Sequence, residues 1–175
     1  MARARGGAAA ADVLDPHHDH GACVVDALDA AAALCAGRNE RLTAQRRAVL
    51  EIVWAGHRPV GAYDILETLQ RRSGRRVAPP TVYRALDFLR AQGLVHRIES
   101  MNAYVGCRDP GRPHSVQFMI CATCGTAVEL HDPGIAAALA TAAAAAGFAA
   151  RQGVVELSGT CARCAAPRDG SPAPG

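Results

Sequence analysis

The sequence predicts an α+β chain in two parts: a run of helices closed by a β-hairpin, then a small α/β unit pinned by cysteines. Three observations carry this. Apolar residues from Cys23 to Ala91 recur at helical spacing between Gly and Pro stops. Two short alternating runs, residues 94–98 and 103–105, flank the tetrapeptide Glu99-Ser-Met-Asn102. Finally, Cys121-Ala-Thr-Cys124 and Cys161-Ala-Arg-Cys164 bracket a stretch of 36 residues.

Bulk properties narrow the class. At 175 residues the chain holds one large or two small domains. It has no run of 18 apolar residues to span a membrane. No apolar h-region precedes a cleavage site, so the expected location is the cytoplasm. There, seven cysteines serve metals rather than disulfides. All 19 basic residues are Arg. Arg suits bidentate phosphate and base contacts, but in a chain rich in Ala, Gly and Pro a compositional bias is the simpler reading. Charge is uneven. Residues 1–37 carry 2 Arg against 5 Asp, net −3; residues 38–99 carry 12 Arg against 6 acids, net +6; residues 100–175 carry 5 against 5, net zero. The basic middle segment is the footprint of a small nucleic-acid-binding domain, with a partnerless solvated face as the alternative.

Residues 1–22 are Ala- and Gly-rich and include His17-His18-Asp19-His20; they are expected to be disordered, the His tract at most a weak metal site. A helix is expected from Cys23 to Ala36, stopped by Gly37, with Cys23 and Cys35 as packing residues. Thr43 caps a second, whose apolar face is Val49, Leu50, Ile52 and Val53. Gly61 precedes a third, with Tyr63, Leu66 and Leu69 at i, i+3, i+6. Pro79-Pro80 opens a fourth, where a missing N–H costs nothing; its inner face is Val82, Leu86 and Leu89. The hairpin follows, completing a winged helix-turn-helix domain over 23–106. In such a domain the last helix enters the major groove and the wing lies on the backbone. Thr81, Tyr83, Arg84 and Asp87 are on its exposed face. Arg84 is the prime candidate for a base or phosphate contact. Tyr63 is placed to reach a phosphate or a thymine methyl. Ordinary packing is the alternative for Tyr63 and Tyr83.

A Pro/Gly hinge spans 107–114. Residues 115–164 form a small α/β zinc-containing dimerisation domain: strands at 115–120, 126–130 and 154–157, with an Ala-rich helix from Pro133 to Gly147. A three-stranded sheet is marginal alone, and edge pairing with a second copy would complete it. Residues 165–175 are expected to be a disordered tail. Two C-x-x-C turns can close four thiolates around one tetrahedral zinc ion, and Gly125 suits the tight turn after the first pair. Structural disulfides and redox pairs remain the alternatives, but no thioredoxin-like βαβ surrounds either pair.

Arg41-Leu-Thr-Ala-Gln-Arg46, Ala62-Tyr-Asp64, Pro80-Thr-Val-Tyr-Arg-Ala-Leu86, Gly93-Leu-Val-His96 and the two C-x-x-C pairs, in this order, resemble the ferric uptake regulator family, most closely its zinc-responsive branch. The resemblance covers about residues 38–164. It implies a homodimeric repressor, not an enzyme, that holds operator DNA when zinc is bound and controls zinc uptake genes. It implies two zinc ions per chain: a structural one at Cys121, Cys124, Cys161 and Cys164, and a regulatory one at His96, Cys107, His114 and Glu129. Imidazole, thiolate and carboxylate together suit zinc better than iron. Two departures are visible. Cys107 and His114 are only seven apart across a short hinge, which makes His131 the substitute ligand. The site before Cys121 has one His, where iron- and manganese-responsive relatives carry a cluster. The competing readings are a regulator for iron, manganese or nickel, a constitutive DNA-binding module with structural zinc only, and a thiol-disulfide enzyme.

Overall fold

The computed structural model describes residues 20–111, 116–150 and 153–166. Most of the 1–22 segment and of the 165–175 tail, with His17 and His18, therefore lies outside the described residues, as does His114. Helix α1 spans His20–Gly37, three residues earlier than Cys23, so residues 20–22 are helical rather than part of a disordered arm. Helix α2 spans Ala44–Trp54, and the Thr43 hydroxyl accepts the Arg46 N–H as its cap. Strand β1 is Val60–Gly61, α3 Ala62–Ser73, α4 Pro79–Ala91, β2 Val95–Ile98 and β3 Ala103–Gly106. The three strands pair antiparallel in the order β1-β3-β2. Leu28 and Ala31 of α1, Val49 to Val53 of α2, Ile65 and Leu69 of α3 and Val82, Leu86 and Leu89 of α4 meet in one core. The apolar faces expected of α2 and α4 are buried there; in α3 only Leu69 of the expected Tyr63, Leu66 and Leu69 is buried, Ile65 takes the central place, Leu66 packs at the margin and Tyr63 faces outward.

The second sheet has β4 Val116–Cys121 at its centre, β5 Ala127–Leu130 on one side and β6 Val154–Gly159 on the other. β4 and β5 are antiparallel; β4 and β6 are parallel. The parallel pair needs a crossover, supplied by α5, Pro133–Ala145. A short helix α6, Ala162–Ala165, ends the described chain. Ile98 and Val105 of the hairpin pack with Phe118, Ile120 and Ala127 of this sheet, so one small core joins the two parts.

Candidate metal centres and nucleic-acid interface

The four paired cysteines are gathered by the ends of β4 and β6. Cys121 closes β4, and the chain turns back through Gly125 at φ +72°, a left-handed conformation in which glycine is unstrained. The Gly125 N–H donates to the Cys121 carbonyl at 2.8 Å, and the Ala122 N–H donates to the Gly159 carbonyl at 2.8 Å. Cys161 caps α6 and donates its N–H to Cys121 Sγ at 3.4 Å. All four sulfurs lie within 4.8 Å of one another, and Cys124 Sγ is 3.9 Å from Cys161 Sγ. Four sulfurs about 2.3 Å from a tetrahedral ion stand roughly 3.8 Å apart, so the set fits zinc. It does not fit disulfides, whose sulfurs sit at about 2.05 Å, and all seven cysteines are free. Without a cation the thiols cannot all ionise. Cys124, 3.3 Å from the Thr126 hydroxyl, is brought down to about 5 chiefly by that group. Cys164 is pushed up to about 12, mainly by its hydrogen bond with the Cys161 thiol. A divalent cation lets all four be thiolates at neutral pH. Arg163 aims its guanidinium at Cys124, opposing the cluster's negative charge.

The second cluster joins both parts of the chain. His96 sits in β2, Cys107 directly after β3, and Glu129 in β5. Their donor atoms lie within 4.8 Å of one another. His96 Nε2 and Glu129 Oε1 are 3.3 Å apart, close to the roughly 3.4 Å edge of a tetrahedron with ligands at about 2.05 Å. The Arg108 N–H donates to the other oxygen, Glu129 Oε2, at 3.2 Å and orients the carboxylate. The Cys107 N–H donates to the Leu94 carbonyl at 3.0 Å. Burial, and then the Glu129 carboxylate, push the Cys107 thiol up to about 12, so it is protonated at neutral pH and must release that proton to bind a metal. His131, the substitute ligand suggested by the short hinge, is exposed beyond β5 and does not join these donors.

Sequence reasoning missed the supports of this cluster. The Phe118 ring meets the His96 imidazole edge to face, 5.9 Å between centroids. Trp54 of α2 packs against Gly106, where a Cβ would overlap the indole. A glycine inside a strand is a signal of close approach, and it stands next to Cys107. Cys35 is a core residue, as expected, and Cys23 is half-buried in α1.

Tyr63 is 74 % exposed and Tyr83 42 % exposed, so neither is a packing residue. Arg84 and Asp87 are exposed, and Thr81 is half-buried, on the outer side of α4. Arg71, Arg72, Arg75 and Arg76 are exposed over the end of α3 and the turn into α4. Helix α4 is held from behind. The Arg46 guanidinium stacks on Phe88, 3.4 Å from the ring centroid, and Arg38 Nη1 donates to the Gln92 carbonyl at 2.8 Å. The arrangement offers a rigid helix and a row of cations to a polyanion.

Known proteins resemble this chain in sequence and fold. The chain is 45 % identical over 132 residues to the zinc uptake regulation protein of Escherichia coli strain K12, covering 75 % of this chain and 77 % of that one. It is 29 % identical over 127 residues to the zinc uptake regulation protein of Mycobacterium tuberculosis, covering 71 % and 94 %. A solved zinc uptake regulator complexed with zinc and DNA superposes with a TM-score of 0.76 at 42 % identity, over 81 % of this chain and 95 % of that chain. The holo form of the regulator XcZur superposes at 0.72 and 44 % identity, over 79 % and 96 %. The model of the ferric uptake regulator family matches residues 38–158, from the end of α1 to β6, and the chain belongs to that family.

Proposed function

We propose that this chain is a zinc-responsive transcriptional repressor, acting in the cytoplasm as a homodimer on operator DNA and controlling genes for zinc uptake. The observation that carries the reading is the convergence of His96, Cys107 and Glu129, drawn from the wing, its exit and the second sheet, on one point. Bound zinc supplies a divalent charge and a tetrahedral template there, and His114 completes the proposed ligand set. His96 belongs to the DNA-binding part, Cys107 opens the hinge, and Glu129 belongs to the dimerisation part. Holding one ion in common fixes the angle between the parts, and so the spacing of two α4 helices across a dimer. Tyr63, Thr81, Tyr83 and Arg84 are the proposed DNA contacts. Cys121, Cys124, Cys161 and Cys164 hold a second zinc that stabilises the sheet and leaves no open position for catalysis. The thiolate-containing donor set favours zinc over iron or manganese.

Native mass spectrometry during graded chelation tests this reading. Two zinc ions per chain are expected, one released well before the other, with release of the weaker ion abolishing binding to a palindromic duplex selected from a randomised library. One zinc per chain with undiminished duplex binding would instead identify a constitutive DNA-binding module.

A further inference from the structure

Three residues stand in line across the second sheet. Phe118 of β4 pairs with Glu129 of β5 on one side and with Glu156 of β6 on the other. Directly paired residues share a face, so Glu129, Phe118 and Glu156 form one row. The wing lies along it. Glu129 meets His96, Phe118 packs with Ile98, and Glu156 meets the turn that follows. Glu156 Oε1 accepts the Glu99 N–H at 2.7 Å and Oε2 accepts the Ser100 N–H at 3.2 Å. The turn is itself braced. The Asn102 N–H donates to the Glu99 carbonyl at 3.2 Å, and Arg97 Nη2 donates to Asn102 Oδ1 at 2.9 Å. Burial pushes the Glu156 carboxyl up, but its hydrogen bonds from the Ser100 hydroxyl and the two N–H groups outweigh this and hold it below its ordinary value.

We propose that Glu156 is a positioning residue for DNA binding, a latch that holds the tip of the wing on the dimerisation sheet. The proposed metal site secures the wing at its base; Glu156 secures the other end without metal. Two fixed points, one in β2 and one in the turn after it, define the orientation of the wing where one leaves a pivot. The latch thus favours the closed arrangement and raises the affinity of the regulatory site for zinc by linkage. This inference rests on the proposed zinc-dependent DNA binding.

The test compares the full chain, zinc-loaded, with Glu156→Ala, Ser100→Pro and the double variant. Proline suits the second position of the Glu99–Asn102 turn and removes the Ser100 donor from the opposite side of the contact. Amide hydrogen exchange at Glu99 is read first, because it needs no DNA. It should quicken at least about tenfold in Glu156→Ala, since a donor hydrogen-bonded to a charged group is released. The dissociation constant for the selected duplex at saturating zinc should rise by about 3- to 10-fold in each single variant, the low end reflecting an exposed contact. Zinc content and dimerisation should not change. The double variant should be no worse than Glu156→Ala alone, because Ser100 acts only through Glu156. Unchanged exchange, unchanged duplex affinity, or additive losses would overturn the latch. If Glu156→Ala does not fold, the duplex affinity of Ser100→Pro decides, unchanged affinity overturning the latch. If the wild type binds no duplex in response to zinc, the functional reading falls, while the exchange comparison still decides whether Glu156 holds the wing.

Discussion

On the proposed assignment, Cys121, Cys124, Cys161 and Cys164 hold together what hydrogen bonding alone holds weakly. The sheet has three strands, and in the outer strand β6 only Val155 and Glu156 are even half-buried, the other four residues being exposed. A four-thiolate zinc site couples metal binding to folding, contributing on the order of 10 kcal/mol in small zinc modules. Cys121→Ser should therefore lose its zinc and most of the cooperative unfolding of the second domain, measured by zinc content after desalting and by thermal denaturation. A folded variant with unchanged zinc content would contradict the assignment. Gly106 makes a different demand. Trp54 covers it, and a methyl group there meets the indole. Gly106→Ala should destabilise by about 1–3 kcal/mol, as overpacking does. It should also displace the neighbouring Cys107, so zinc affinity at the regulatory site should fall. Trp54 is the only tryptophan, which makes its emission a direct monitor of the contact. An unaltered emission maximum and unaltered stability would remove Trp54 and Gly106 from the account.

At the scale of elements, α4 is the part that reads DNA in this account. Its inner face is buried and its outer face offers Tyr83 and Arg84, while Tyr63 is exposed in the first turn of α3. If Arg84 contacts a base edge, Arg84→Ala should cost about 1–3 kcal/mol and relax preference at one operator position. If it touches phosphate only, binding should weaken evenly across sequences, with a shallower salt dependence. Titrations on selected and scrambled duplexes at several salt concentrations separate these, and full affinity in the variant would reject the contact. Most elements were legible because their causes are local. Thr43 caps α2, Pro79 and Pro80 open α4, and the alternation around residues 99–102 makes a hairpin. Strand β1 was not legible, since two residues carry no period. Nor was the parallel pairing of β6 with β4, or the row of Glu129, Phe118 and Glu156, because register across a sheet joins residues far apart in sequence. The cysteine site showed in its spacing. His96, Cys107 and Glu129 became visible only through family resemblance, because singly each is an ordinary strand or core residue.

At the scale of the whole molecule, five large apolar side chains of the second part are exposed. Met119 of β4, Val154 and Leu157 of β6, Leu139 of α5 and Phe148 beyond it are all exposed, and α5 buries no residue at all. A homodimer would cover this surface. Leu157→Glu should yield monomers at micromolar concentration in sedimentation experiments, with the cysteine site still loaded and affinity for a palindromic duplex lost. A dimer of wild-type affinity would show that the surface is not the interface. Dimerisation, the wing contact and the shared metal site then act on one variable, the placement of two α4 helices. Of these, only the proposed site at His96, Cys107 and Glu129 is expected to respond to zinc. The central claim is therefore tested most directly by the affinity of wild type and His96→Ala for the selected duplex, measured across buffered free zinc. The account predicts that wild-type affinity rises with zinc by about 5–150-fold, the range of ordinary allosteric coupling. His96→Ala should keep its dimer and its cysteine-bound zinc while its affinity stays flat. An identical zinc response in the two proteins would contradict the account and move the sensing site away from His96.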